Sequence, residues 1–148
     1  MEKEYITITL ADDDEDDRLF FTDAFNELKI NTKVNTFNNG RELLNHLLKP
    51  EIILPNIIFL DLNMPLKNGM ECLREIRENR NLNNISVAIY STSSSENDIE
   101  ETFINGANIY INKPHKFSDL QAAIERVLQV NWQYQTSILN RDNFLLRI

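Results

Sequence analysis

Five short apolar runs, each followed by a stretch with helical spacing, constrain this chain more than any other feature. The runs lie at residues 5–11, 33–37, 57–60, 86–91 and 108–112. The first is rich in β-branched residues, and the second is half polar, as an edge strand would be. The third is apolar throughout, which fits a central strand buried on both faces. Helical patterns follow at 15–29, 41–49, 69–79, 96–105 and 118–129. The first of these sets Phe21, Ala24, Phe25 and Leu28 on one stripe. It opens on Asp14, Glu15, Asp16 and Asp17, acids that suit a helix dipole. Ser93 with Glu96, and Ser118 with Gln121, read as capping boxes. Gly106 reads as the residue that stops the fourth helix. Such alternation means an α/β fold: a parallel sheet with helices on both faces and right-handed crossovers.

The chain has 148 residues, enough for one domain with a core that needs no disulfide or structural metal. Its net charge of −8 argues against nucleic acid or an anionic membrane as a direct partner. The one cysteine, Cys72, falls in a helical stretch and reads as a packed thiol. His46 and His115 stand apart from it, which argues against a zinc site, and both read as surface residues. No apolar run approaches the ~20 residues that span a bilayer. The first residues lack the apolar core of a signal peptide, so the expected location is cytoplasmic. Residues 131–148 have no clear period but carry Trp132, Tyr134, Ile138, Phe144, Leu145 and Leu146. They read as an extension of domain 1–130 that packs on it or forms a dimer or partner interface.

Chemistry-bearing residues cluster at the ends of the apolar runs. Asp12 and Asp13 follow the first, Asp61 the third and Lys113 the fifth, while Ser91 ends the fourth. In an open parallel sheet, ligands bind beyond the carboxyl ends of the strands. Carboxylates brought together there repel one another and demand a cation. A lysine facing them suits the oxygens of a transferring phosphoryl group.

Residues 11–14 (ADDD), 61–65 (DLNMP) with Gly69, Ser91 with Thr92, and Lys113 with Pro114 together resemble the receiver domain of two-component response regulators. The resemblance spans residues 4–130. It implies a flavodoxin-like, doubly wound (βα)5 fold whose five-stranded parallel sheet has the order 2-1-3-4-5. It implies that Asp61 takes a phosphoryl group from a sensor histidine kinase or a histidine phosphotransfer protein. Mg²⁺ would be held by Asp13, Asp61 and the backbone carbonyl of Asn63, with Asp12 acting through water. Lys113 and Ser91 would meet the phosphate. Ser91 would then move toward the site and Tyr110 rotate inward, remodelling the face of the fourth helix, fifth strand and fifth helix. An unidentified downstream protein would dock there. Asn63 and Ser93 would flank the path of the hydrolytic water and tune the phosphate's lifetime. The resemblance also implies a cis Lys113–Pro114 bond. Ser91 stands where threonine is commoner, which is expected to loosen the switch, and His115 where an aromatic is commoner.

On this reading the protein is a phosphoacceptor in signal transduction, not an enzyme with a separate substrate, beyond catalysing its own phosphotransfer and dephosphorylation. Only residues 131–148 follow the fifth helix, so no DNA-binding output domain is expected. A hydrolase of the haloacid dehalogenase type also combines aspartates, Mg²⁺ and a lysine. It would use Asp12 with Asp14, and leaves Asp61 without a role. A degenerate receiver that only binds other proteins would not need the intact acidic set. Blander roles are expected elsewhere. Asp14, Asp16 and Asp17 read as a solvated helix start, and Gly69 and Gly106 as backbone necessities.

Overall fold

The computed structural model describes residues 5–133 and 144–146. In chain order the elements are β1 (Ile6–Ala11), α1 (Glu15–Glu27), β2 (Thr32–Phe37), α2 (Gly40–Leu47), β3 (Ile57–Leu60), α3 (Gly69–Glu78), β4 (Ser86–Ser91), α4 (Glu96–Ile104), β5 (Ile109–Asn112), α5 (Phe117–Gln133) and β6 (Leu145–Leu146). The strands pair in the order β2-β1-β3-β4-β5-β6, and every pairing is parallel. The expected five-stranded order is therefore present, and a sixth strand from the extension lengthens it. Two residues are too short a run to show any period, so the sequence carried no signal for β6. Tyr134 and Ile138, also assigned to the extension, lie outside the described residues.

Side chains alternate across a strand, so each strand feeds two cores. On one side, Ile8, Leu10, Phe59, Tyr90 and Ile111 pack with Phe21 and Phe25 of α1 and Leu120, Ile124 and Val127 of α5. On the other, Ala11, Leu60, Ile89 and Tyr110 pack with residues of α2, α3 and α4. Phe144, beside β6, joins this second core and is fully buried. Its ring lies 5.3 Å from Phe103 and 6.1 Å from Tyr110.

Several local expectations change. Ser93 does not cap α4. Ser95 does, accepting from Asp98 N, while the Ser93 hydroxyl donates to Asp98 Oδ2 at 2.6 Å. Three consecutive serines give the chain a choice of cap, and spacing alone does not decide among them. α5 begins at Phe117, which puts Ser118 inside its first turn. The capping box occurs instead at α3, between Asn68 and Glu71. Gly106 does end α4, with φ at 95°. No peptide bond among the described residues is cis, so Lys113–Pro114 is trans. The trans form is the intrinsically preferred one even before proline. His46 is half-buried rather than solvated, its ring tilted against that of Phe37 with the centroids 4.9 Å apart. Cys72 is buried, and burial pushes its thiol up to about 12.

Candidate functional site

Register brings the predicted residues to one edge. Ala11 pairs with Leu60, so Asp12 and Asp61 leave neighbouring strands at the same level. Leu60 pairs with Ile89 and Ser91 with Asn112, which sets Ser91 and Lys113 beside them. The Lys113 N–H donates to the Ser91 carbonyl at 2.8 Å and fixes that step. Gly69 fixes another. A Cβ there would collide with the Asp61 carbonyl oxygen, so only glycine lets α3 start this close to the end of β3.

Carboxylate oxygens of Asp12, Asp13 and Asp61 lie within 4.8 Å of one another. Asp12 and Asp61 are buried, and Asp13 is exposed. Lys113 Nζ stands 2.7 Å from Asp12 Oδ2, 2.9 Å from Asp17 Oδ2 and 3.6 Å from Asp61 Oδ2. It also lies 5.3 Å from the centre of the Tyr90 ring. The contact with Asp17 has hydrogen-bond geometry. The shorter one with Asp12 does not: Asp12 Oδ2 is buried and paired by charge, yet accepts no aligned hydrogen bond.

The electrostatics follow from burial. Asp61 is raised from 3.8 to about 6, first by burial, with the charges of Asp12 and Asp13 adding and Lys113 opposing. Asp12 is raised by burial against the pull of Lys113. Burial would lower Lys113, but its close contacts with the Asp12 and Asp17 carboxylates and the Asp61 charge together raise it. Lys113 thus remains a cation at any ordinary pH. One lysine offsets a cluster of three carboxylates, one of which has a buried oxygen that accepts no hydrogen bond. That donor set fits a hard divalent cation, which favours carboxylate oxygens.

Asn63 is exposed, and its N–H points to Asp61 Oδ1 at 3.5 Å. Ser91 is fully buried, and its Oγ accepts from Ser93 N at 3.1 Å. Tyr110 is fully buried too, with its hydroxyl donating to the Ser93 carbonyl at 2.8 Å. The Phe144 ring meets it edge-on, with the centroids 6.1 Å apart. Ser93 accordingly links Ser91, Tyr110 and Asp98 in the β4–α4 loop. The residue that sequence reasoning missed is Asp17. It lies 96 positions from Lys113, and nothing in a run of helix-starting acids marks it as different.

Comparison with known proteins gives this edge a context. The family model described as the response regulator receiver domain matches residues 8–125. A probable methanogenesis regulatory protein, FilR2, of Methanothrix harundinacea (strain 6Ac) is 29% identical over 123 residues, covering 81% of this chain and 79% of that protein. The crystal structure of the phosphorylated cyanobacterial phytochrome response regulator RcpA matches with a TM-score of 0.78 and 28% identity. It covers 93% of this chain and 100% of its own. The Mn²⁺-bound form of response regulator Rcp1 matches with a TM-score of 0.73 and 26% identity, over 90% of this chain and 96% of its own.

Proposed function

From the premise that this chain belongs to the response regulator receiver domain family, we propose that Asp61 is its phosphoryl acceptor. The observation that carries the reading is a carboxylate only 5% exposed at the end of a central strand, between two other aspartates and a lysine. An Asp61 oxygen attacks the phosphorus of a phosphohistidine. The O–P bond forms as the P–N bond breaks, and the departing electron pair returns to the imidazole, which takes up a proton. Lys113 donates to a phosphoryl oxygen and balances its charge. Asp12, Asp13 and Asp61, with the Asn63 carbonyl, would hold Mg²⁺ or Mn²⁺. When bound, the ion neutralises the carboxylates and draws charge from the phosphoryl oxygens. Receiver domains partner with histidine kinases or phosphotransfer proteins, and such a protein is the proposed donor here. Among the described residues, no helix is long and apolar enough to cross a membrane.

The output runs through Ser91. Its hydroxyl is the one that turns to the new phosphoryl group, giving up its contact with Ser93 N. Ser93 then shifts, and with it the carbonyl that holds Tyr110. The surface that changes is that of α4, β5 and α5, where a downstream protein docks. Asn63 and Ser93 tune how long the phosphate lasts. Asn63 has the more direct part, because the Ser93 hydroxyl is engaged by Asp98.

The test is incubation with a small acyl phosphate and Mg²⁺, read by intact mass. One phosphoryl group should be added to the wild type and none to Asp61→Asn. Labelling that survives Asp61→Asn but is lost in Asp12→Asn would overturn the reading in favour of a hydrolase-like nucleophile at Asp12.

A further inference from the structure

Asp17 holds the lysine of this site from outside the carboxylate cluster. Its position is set by the start of α1, where Asp14 caps the helix and accepts from Asp17 N at 3.1 Å. An acid at this third helical position often reaches back to the cap residue's own N–H. Here that N–H is taken by Asp12 Oδ1 at 3.0 Å. The Asp17 carboxylate instead meets Lys113 Nζ at 2.9 Å in hydrogen-bond geometry.

An ammonium group has three protons to place. Asp12 and Asp61 belong to the three-carboxylate cluster, whereas Asp17 does not. When a cation and a phosphoryl group draw on the cluster's oxygens, Asp17 can still hold Lys113. By accepting one proton on the α1 side, it leaves the remaining two toward Asp12 and Asp61. The packing agrees, because the ammonium lies 5.3 Å from the centre of the Tyr90 ring on a side chain only 8% exposed. The Asp17 side chain is 38% exposed, so the aspartate itself contributes little to the core.

We propose that Asp17 is a positioning residue for phosphoryl transfer to Asp61, acting through Lys113. The inference rests on the acceptor reading given above. Asp17→Ala should lower the maximal rate of phosphoryl uptake from a small acyl phosphate at saturating Mg²⁺ by roughly ten- to a hundredfold, since a misplacement of about 1 Å can cost about 10²-fold. The donor concentration at half-maximal rate should stay the same. Asp17→Asn keeps an oxygen that can accept from Nζ and should recover most of the rate. A second readout needs neither donor nor metal: by NMR, the Lys113 ammonium protons should exchange with water faster in Asp17→Ala than in the wild type or Asp17→Asn. An undiminished rate in Asp17→Ala, an equal loss in both variants, or unaltered proton exchange would overturn the proposal. Failure of the wild type to take up phosphate would refute the acceptor reading instead, and the exchange measurement would still decide whether Asp17 holds Lys113.

Discussion

Replacing Asp61 with Asn should make the metal-free protein more stable at neutral pH, although it removes a charge partner of Lys113. Burial is the dominant influence on the Asp61 carboxyl and raises it from 3.8 to about 6 despite the nearby lysine. A carboxyl raised in this way binds its proton more tightly in the folded than in the unfolded chain. Ionisation therefore costs folding free energy. The cost is absent below pH 3.8, grows as pH rises toward 6, and is full above that. The gap between 3.8 and about 6, at roughly 1.4 kcal/mol per pH unit, comes to about 3 kcal/mol. Asparagine has nearly the same shape and never ionises, so it escapes the cost. Urea denaturation in the presence of a chelator would measure it. The variant should gain about 3 kcal/mol at neutral pH, and the gain should fade as pH approaches 3.8. Saturating Mg²⁺ should narrow the difference, because an ion bound only by the folded wild type stabilises it by mass action. A variant no more stable than the wild type at neutral pH without metal would refute the reasoning. It would mean that the Lys113 pair outweighs burial and that no charge in the cluster awaits a cation.

Two further outcomes concern the frame around the site. Arg77 donates to the carbonyls of Gly106, Asn83 and Ile85 and to Asn108 Oδ1, so Arg77→Ala should cost about 3 kcal/mol in chemical denaturation by leaving several of these acceptors unpaired. Phe144 is fully buried against Phe103 and Tyr110, and Phe144→Ala should cost about 3 kcal/mol, or less if β6 detaches first. Amide hydrogen exchange would tell these apart, since detachment should raise exchange at Leu145 and along the β5 edge while β1 to β3 stay protected.

What the sequence disclosed, and what it did not, follows from the range of each interaction. β3 was legible because all four of its residues are buried, which leaves an unbroken apolar run. Asp61 was legible because the residues beyond a central strand's carboxyl end have a defined place in such a sheet. The start of α4 was not, because Ser93, Ser94 and Ser95 are chemically equal and only the fold distinguishes them. The sixth strand was hidden for a different reason. Leu145 and Leu146 owe their strand character to the open edge of β5, and no local pattern requires it. Asp17 was the most instructive miss: its charge suits a helix start, which is sufficient reason for its presence, so a second role left no trace.

The period-two alternation of the strands also decides which side of the sheet can respond to a phosphate on Asp61. Asp12, Asp61 and Lys113 continue the strand faces of Leu10, Phe59 and Ile111, which pack on α1 and α5. That side is backed by interlocked aromatic rings. Phe21 lies 4.9 Å from Phe59 and 5.5 Å from Tyr90, and Lys113 rests on Tyr90. Rings packed at interior density do not yield to a small displacement. Ser91 continues the opposite face, that of Ile89 and Tyr110, which packs on α2, α3 and α4. Beyond Ser91 the structure relies on hydrogen bonds among Ser93, Ser95, Asp98 and Tyr110, one of them exposed and the others part-buried. Such bonds are each worth about 1 kcal/mol and can be exchanged for water. If Asp61 carries the proposed phosphoryl group, that doubly charged group would meet more rigid packing on the α1–α5 side than in the hydrogen-bonded β4–α4 loop. On the proposed acceptor reading, the rearrangement would travel toward Tyr110, whose ring meets that of Phe144 next to β6.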